Sequence, residues 1–261
     1  MDIRGRWALV TGASSGIGRD VARELAARGV HCVLVARRED RLRETARDLT
    51  EHHGVEAEIE TADLGAPGAA AELFARLTQR GRSIDLLVNN AGFAVHGDFL
   101  GQDVDRVSEM IRVNVIALTE LTHFFTTSMA ERGGGSVLNV ASIAGLTPVP
   151  TYAAYAATKA YVVSLSESLA HELAPRNVRV TVAMPGVTWT EFFEVSGQKT
   201  TWFGRMTGKK SADVARIAVG ALLKGRNSTI TGWRNRLTMA LSAPVPRRLK
   251  AWVTWQLNRN D

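Results

Sequence analysis

Seven short runs of apolar and β-branched residues punctuate this chain of 261 residues, at 7–11, 31–36, 55–62, 84–89, 136–142, 178–183 and, weakly, 228–231. Between them, apolar residues recur at helical intervals, as in Val21 and Leu25 before Gly29, or Val162, Leu165, Leu169 and Leu173 before Pro175. The runs are continuous rather than alternating, which suits strands of a parallel sheet covered on both faces. Repeated β-α-β order with such strands predicts an α/β fold, a doubly wound parallel sheet of the Rossmann type. No Pro/Gly/Ser linker or internal repeat divides the chain, so one large domain is expected over 1–232, with a helical extension over 233–261.

Several function classes are disfavoured by composition. The formal charge of +6 is concentrated late, where Lys224, Arg226, Arg234, Arg236, Arg247, Arg248, Lys250 and Arg259 face only Asp261. The remainder is close to neutral, which argues against a nucleic-acid-binding body. The longest uncharged run, between Arg132 and Lys159, is broken by Gly133, Gly134, Gly135, Pro148 and Pro150 and does not read as a membrane span. The first residues carry no apolar signal-like stretch. A lone Cys32 inside an apolar run reads as a buried, inert thiol, and without a disulfide framework a cytoplasmic location is expected. No metal site is expected.

Ligands of doubly wound folds bind beyond the carboxyl ends of the strands, and the unusual motifs of this sequence fall there. Gly12, Gly16 and Gly18, with Ser14, Ser15 and Ile17 between them, occupy the turn from the first strand into a helix. Missing β-carbons let backbone approach a pyrophosphate, and a helix N-terminus offers free N–H groups. The spacing is Gly-x-x-x-Gly-x-Gly rather than the commoner Gly-x-Gly-x-x-Gly, and structural punctuation is the competing reading. After the second strand an NAD site would want an acidic residue; the chain reads Ala36-Arg37-Arg38. Arg37, assisted by Arg38, can pair with a 2′-phosphate, so NADP(H) is the expected cofactor. A solvated basic helix start is the alternative for Arg38. Asp63 and Leu64 end the third strand, where they can hold an adenine edge or start the next helix.

Tyr155 and Lys159 stand four apart, a spacing that places both on one helical face. An ammonium beside a phenol favours phenolate and lowers its pKa, which would make Tyr155 a general acid or base. Alone, such a pair is weak evidence.

Together, the segments 11–18, Asn89-Asn90-Ala91-Gly92, Asn114, Ser142, Tyr155-x-x-x-Lys159 and 185–190 resemble the short-chain dehydrogenase/reductase family, in its order and at its distances over roughly 5–232. The resemblance implies a catalytic tetrad of Asn114, Ser142, Tyr155 and Lys159. Tyr155 would exchange a proton with the substrate oxygen, Ser142 would hydrogen-bond that oxygen, and Lys159 would hold the nicotinamide ribose and lower the Tyr155 pKa. Asn114 would hold a water that extends the proton path; capping of helical backbone is its bland alternative. Asn90, Ala91 and Gly92 would line the middle of the cofactor, with Pro185, Gly186, Thr188 and Thr190 near the nicotinamide, unless Thr190 only begins a helix. Many NADP-preferring members place a basic residue just before the middle glycine; here it is Ser15, so the preference rests on Arg37 and Arg38. The family also implies a homodimer or homotetramer.

The family's variable substrate-covering segment would span 190–211. Phe192, Phe193, Trp202, Phe203 and Met206 offer an apolar lid, Gly197 and Gly204 its hinges, and Phe93, Val95, Thr147, Val149 and Tyr152 further pocket walls. His96 reads as a surface or hydrogen-bonded histidine. A bulky or long apolar carbonyl or alcohol substrate is expected, with a 3-oxoacyl thioester or hydroxysteroid as the narrower readings; a dinucleotide sensor without turnover is the competing class. In the extension, Leu249, Trp252, Val253 and Leu257 share one helical face and Lys250, Thr254 and Asn258 the other. Such a helix can pack on a second subunit or on the lid, or lie as a peripheral contact on an anionic membrane; packing is expected ahead of membrane contact.

Overall fold

The computed structural model describes residues 3–191 and 208–258. Its strands are β1 (Trp7–Thr11), β2 (His31–Ala36), β3 (Ala57–Thr61), β4 (Leu86–Asn89), β5 (Gly135–Val140), β6 (Val178–Met184), β7 (Thr188–Trp189), β8 (Lys209–Lys210) and β9 (Ser228–Ile230). The helices are α1 (Gly16–Ala26), α2 (Glu39–His53), α3 (Ala69–Gln79), α4 (Val104–Ile111), α5 (Leu118–Glu131), α6 (Ala153–Glu172), α7 (Ser211–Leu223), α8 (Trp233–Ser242) and α9 (Arg247–Asn258).

Seven strands pair in parallel in the order β3-β2-β1-β4-β5-β6-β9. The sequence order reverses between β1 and β4, so the chain leaves β1 toward one edge and returns to build toward the other. That reversal opens a crevice at the carboxyl ends of β1 and β4.

Successive residues of each strand point to opposite faces, and both faces are covered. Ala8, Val10, Cys32 and Leu34 pack with Val21 and Leu25 of α1, Leu42 and Leu49 of α2, and Ala218, Val219 and Leu222 of α7. Leu9, Val33 and Val35 pack the other way, with Leu73 and Leu77 of α3 and Leu121, Phe125 and Met129 of α5. Each leucine fully removed from water contributes about 1.5–3 kcal/mol, which is why the strand runs are apolar throughout.

Five of the seven expected strands differ from the sequence reading by one or two residues at one or both ends, β4 for instance beginning at Leu86 rather than at Ile84. The fifth strand stops at Val140 rather than at Ser142, because the Ser142 hydroxyl turns back to accept from Ala144 N at 3.1 Å and caps a short 3-10 turn over Ile143–Leu146. The third begins at Ala57, where its pairing with Cys32 starts. Ser211, expected as the end of the lid, is the first residue of α7. Just before it, β8 pairs with β7, so the two ends of the segment that follows Trp189 are tied together.

Helix α8 begins directly after Gly232, and α9 lies against the loop that follows the 3-10 turn, where Thr254 Oγ1 donates to the Pro148 carbonyl at 3.0 Å. Among the described residues no helix is long and apolar enough to cross a membrane.

Candidate active site

The crevice is stitched by short polar side chains. Thr11 Oγ1, at the end of β1, donates to Val88 O at 3.2 Å and accepts from the backbone N–H groups of Asn90 and Ala91, each at 3.0 Å. Asn90 Nδ2 returns the tie to Thr11 O at 3.0 Å and Gly12 O at 3.3 Å. Thr11 is thus a positioning residue that the motif reading passed over as the strand's last letter. Gly12 (φ +66°) and Gly16 (φ +54°) hold left-handed backbone, and a β-carbon on Gly18 would collide with the Gly12 carbonyl. Ser15, at the N-cap of α1, makes no side-chain cap, so the first N–H groups of α1 are left for an anion. A β-carbon on Gly12 would likewise press on Asn90 and Ala91, so the glycines let the turn close tightly while the first N–H groups of α1 stay open, an arrangement that fits the pyrophosphate of a dinucleotide.

Arg37 and Arg38 leave β2 at the rim of this cradle, and both meet carboxylates. Arg37 Nη1 lies 3.3 Å from Glu109 Oε1 of α4, and Arg38 Nη2 lies 2.8 Å from Glu191 Oε2 and 3.2 Å from Ser14 Oγ. The Arg38 guanidinium is the main cause holding the Glu191 carboxyl below its ordinary range, helped by a hydrogen bond with Ser15. Neither partner was legible in sequence, since Glu109 lies 72 residues from Arg37 and Glu191 lies 153 from Arg38. Thr190 sits over the turn, its Cγ2 at 2.9 Å from where a Gly16 β-carbon would stand. Asp63 is not a helix cap: α3 starts at Ala69, and the Asp63 carboxylate accepts from Gly65 N at 3.0 Å. Leu64 packs into the core.

Next along the crevice, the four tetrad residues converge. Asn114 lies in a π-turn, Arg112–Ala117, inserted in the helical run from α4 to α5. Its Oδ1 accepts from Phe93 N at 3.1 Å, and its Nδ2 donates to Phe93 O at 2.9 Å and Thr158 Oγ1 at 3.1 Å. The fully buried amide therefore brackets the backbone after Gly92 and ties it to α6. Its side-chain donors are spent on the protein, a different task from holding a water through that amide. A β-carbon on Gly92 would meet Asn114 Oδ1 at 2.7 Å, which explains the glycine.

Tyr155 and Lys159 are both buried on α6. Lys159 Nζ donates to Val140 O at the end of β5 at 2.9 Å and lies 5.8 Å from the Tyr155 ring centroid. Burial lowers the Lys159 ammonium from 10.5 to about 8. The Tyr155 phenol is not lowered as the four-residue spacing suggested. Burial holds it above its ordinary range, opposed by a hydrogen bond with Ser142 and reinforced by Tyr152. A phenol kept protonated and hydrogen-bonded to a serine hydroxyl is a proton donor aimed at whatever oxygen displaces that contact.

Phe93, Val95, Val149 and Tyr152 gather with Tyr155 in one apolar cluster backed by Met110. Tyr152 stands 5.9 Å from Tyr155, ring to ring, and His96 packs on Tyr152 at 4.7 Å. His96 is half-buried, its Nε2 has no hydrogen-bond partner, and burial lowers its pKa, so it is neither a surface nor a hydrogen-bonded histidine at that nitrogen. Thr147 Oγ1 is likewise buried without a partner. Pro185, through its carbonyl, accepts from Ser142 Oγ at 3.4 Å, and Thr188 Oγ1 donates to Gly186 O at 3.0 Å, which places this loop beside the tetrad. The lid candidates Phe192, Phe193, Trp202, Phe203 and Met206, with Gly197 and Gly204, lie outside the described residues.

A doubly wound sheet with a glycine cradle at its switch point and, beyond the next strands, Ser142 beside the buried Tyr155 and Lys159 defines an oxidoreductase of the dinucleotide-dependent type. The family model for short chain dehydrogenases matches residues 6–201, and the chain belongs to that family. Among solved structures, a short-chain dehydrogenase from Sphingobium yanoikuyae in complex with NADPH superposes with a TM-score of 0.82 at 32% identity, over 92% of this chain and 93% of that one. A very-long-chain 3-oxoacyl-CoA reductase of Anas platyrhynchos is 34% identical over 74% of this chain; the match spans 62% of that longer protein. The human inactive hydroxysteroid dehydrogenase-like protein 1 is 31% identical over 98% of this chain and 77% of its own length.

Proposed function

We propose that this chain is an NADP(H)-dependent oxidoreductase that passes a hydride between the nicotinamide and a carbonyl, or its secondary alcohol, on a bulky or long apolar substrate. The observation that carries the reading is the buried phenol of Tyr155 hydrogen-bonded to Ser142 within an apolar wall of Phe93, Val95, Val149 and Tyr152. The dinucleotide, when bound, supplies or takes the hydride. Gly12, Gly16, Gly18 and the free N–H groups of α1 would hold its pyrophosphate, Arg37 and Arg38 its 2′-phosphate, and Lys159 its ribose. Tyr155 gives its proton to the substrate oxygen while Ser142 donates to the same atom and steadies charge as it develops. A phenol held neutral suits reduction of a carbonyl. The NADPH bound by the Sphingobium relative supports the cofactor, and the names of the acyl-CoA and hydroxysteroid relatives support a lipid-like substrate. Ile116 and Tyr161, both exposed on the α5 and α6 side, offer a surface for a homodimer or homotetramer.

NADPH and NADH oxidation is to be measured against aliphatic, aromatic, steroidal and acyl-thioester ketones, with Arg37→Ala in parallel. Turnover with NADPH that weakens selectively in the variant supports cofactor and class; equal loss with both cofactors removes the role of Arg37. The inactive human relative favours a second reading, a dinucleotide sensor. Tyr155→Phe decides between them: loss of turnover with cofactor binding retained supports the enzyme, and unchanged turnover refutes the mechanism.

A further inference from the structure

Helices of soluble proteins normally bury their apolar side; α8 and α9 do the reverse. Asn235 of α8 faces the body, with Nδ2 donating to Thr231 O at 2.8 Å and its amide against Gly186. Thr254 of α9 faces the loop at Pro148, and the neighbouring Ala251 is half-buried. Turned outward are Trp233, Leu237 and Leu241, spaced four apart on α8 and 67%, 50% and 68% exposed, and Leu249, Trp252 and Val253 on α9, at 48%, 56% and 41%. Exposed apolar patches of this kind mark contact surfaces.

Charge selects the occupant. From Trp233 to Asn258 the chain carries five basic residues and no acidic one. Arg236 is engaged by the Ile230 carbonyl and Lys250 donates to Ala243 O, while Arg234, Arg247 and Arg248 are exposed. Arg234 lies 5.4 Å over the exposed Trp233 ring. Tryptophan and leucine with arginines beside them, and no carboxylate, match the acyl boundary and anionic headgroups of a lipid leaflet. The inner contacts of both helices reach Gly186 and Pro148, loops that border Ser142 and Tyr155.

We propose that α8 and α9 form a docking surface for an anionic lipid bilayer, which sets the mouth of the active site against the membrane. The inference deepens the reading of an apolar substrate, since a ligand dissolved in the leaflet would reach the site without crossing water.

The test is flotation of the full chain with vesicles of phosphatidylcholine alone or mixed with phosphatidylserine. It reads binding without turnover, so its failure leaves the catalytic reading untouched, and an inactive protein that floats separates the two in the other direction. The intact protein floats with the mixed vesicles, and less as salt rises from about 0.1 M to about 1 M and the screening length falls from about 10 Å to about 3 Å. Each arginine near an anionic surface contributes about fivefold, so Arg234→Gln/Arg247→Gln/Arg248→Gln lowers partitioning about 100-fold. Trp233→Ser/Leu237→Ser/Trp252→Ser abolishes flotation and leaves turnover of a water-soluble ketone intact. Absence of flotation by the intact protein, or flotation that neither variant weakens, overturns the proposal. So does light scattering that shows a dimer dissolved by the serine variant, since the face would then meet a second copy.

Discussion

Lys159→Met replaces a buried ammonium by an apolar chain of similar length, and its effect on stability depends on pH in a way that the site's electrostatics fixes. A lysine whose folded-state pKa lies below its unfolded value opposes folding at any pH where the unfolded chain carries its proton, and the opposition is relieved as pH rises between the two values. For Lys159 that opposition is complete below about pH 8 and is lost as pH rises toward 10.5. At about 1.4 kcal/mol per pH unit, the gap between 10.5 and about 8 amounts to about 3 kcal/mol. About 2.5 kcal/mol of it is relieved between pH 7 and pH 10. The intact protein therefore gains about 2.5 kcal/mol on the variant over that interval. Terms that do not titrate, such as the lost bond to Val140 O, cancel in the comparison. Urea unfolding of both proteins at the two pH values reads it: with a slope of about 3 kcal/mol per M, the gap in midpoints moves by about 0.8 M in favour of the lysine form. A gap that stays constant, or moves the other way, would mean that the ammonium is hydrated and the burial argument wrong.

Asn114→Ala leaves the buried N–H and C=O of Phe93 without their partner, at a cost of about 2–4 kcal/mol. Thermal unfolding should fall by about 5–15 °C, and an unchanged midpoint would show that the bracket carries no weight. Glu109→Gln and Glu191→Gln free Arg37 and Arg38 from exposed ion pairs. Such pairs hold up to about 1 kcal/mol, so NADPH should bind about two- to fivefold tighter by fluorescence titration with NADH unaffected; an equal change for both would place the arginines away from the 2′-phosphate.

Legibility in the sequence followed the range of the interactions involved. The strands, their parallel sheet and the glycine turn are set within a few residues of one another, by apolar runs, missing β-carbons and helix starts. They were found with ends shifted by one or two residues, where a side chain intervened, as at Ser142, or where strand pairing starts later, as at Ala57. The members of the tetrad were legible as residues, but their surroundings were not. The Asn114 amide is spent on Phe93, 21 residues away, and Lys159 on Val140, 19 residues away. Four-residue spacing correctly put Tyr155 and Lys159 on one face of α6, yet desolvation, a property of everything packed around them, decided the direction of both pKa values.

The extension shows the same division from the opposite side. Its apolar and polar stripes are written in the order of residues along α8 and α9, because helical periodicity is a local property. Which stripe meets the body depends on the surface that the rest of the chain presents, and here Gly186 and the Pro148 carbonyl accept Asn235 and Thr254, leaving tryptophan and leucine outward. The sequence alone determined the family, the sheet and the chemistry-bearing side chains, since each follows from short-range pattern. Tertiary structure decided the protonation of Tyr155, the carboxylates that guard Arg37 and Arg38, and the outward face of the tail, because burial and contact arise only when distant segments are brought together.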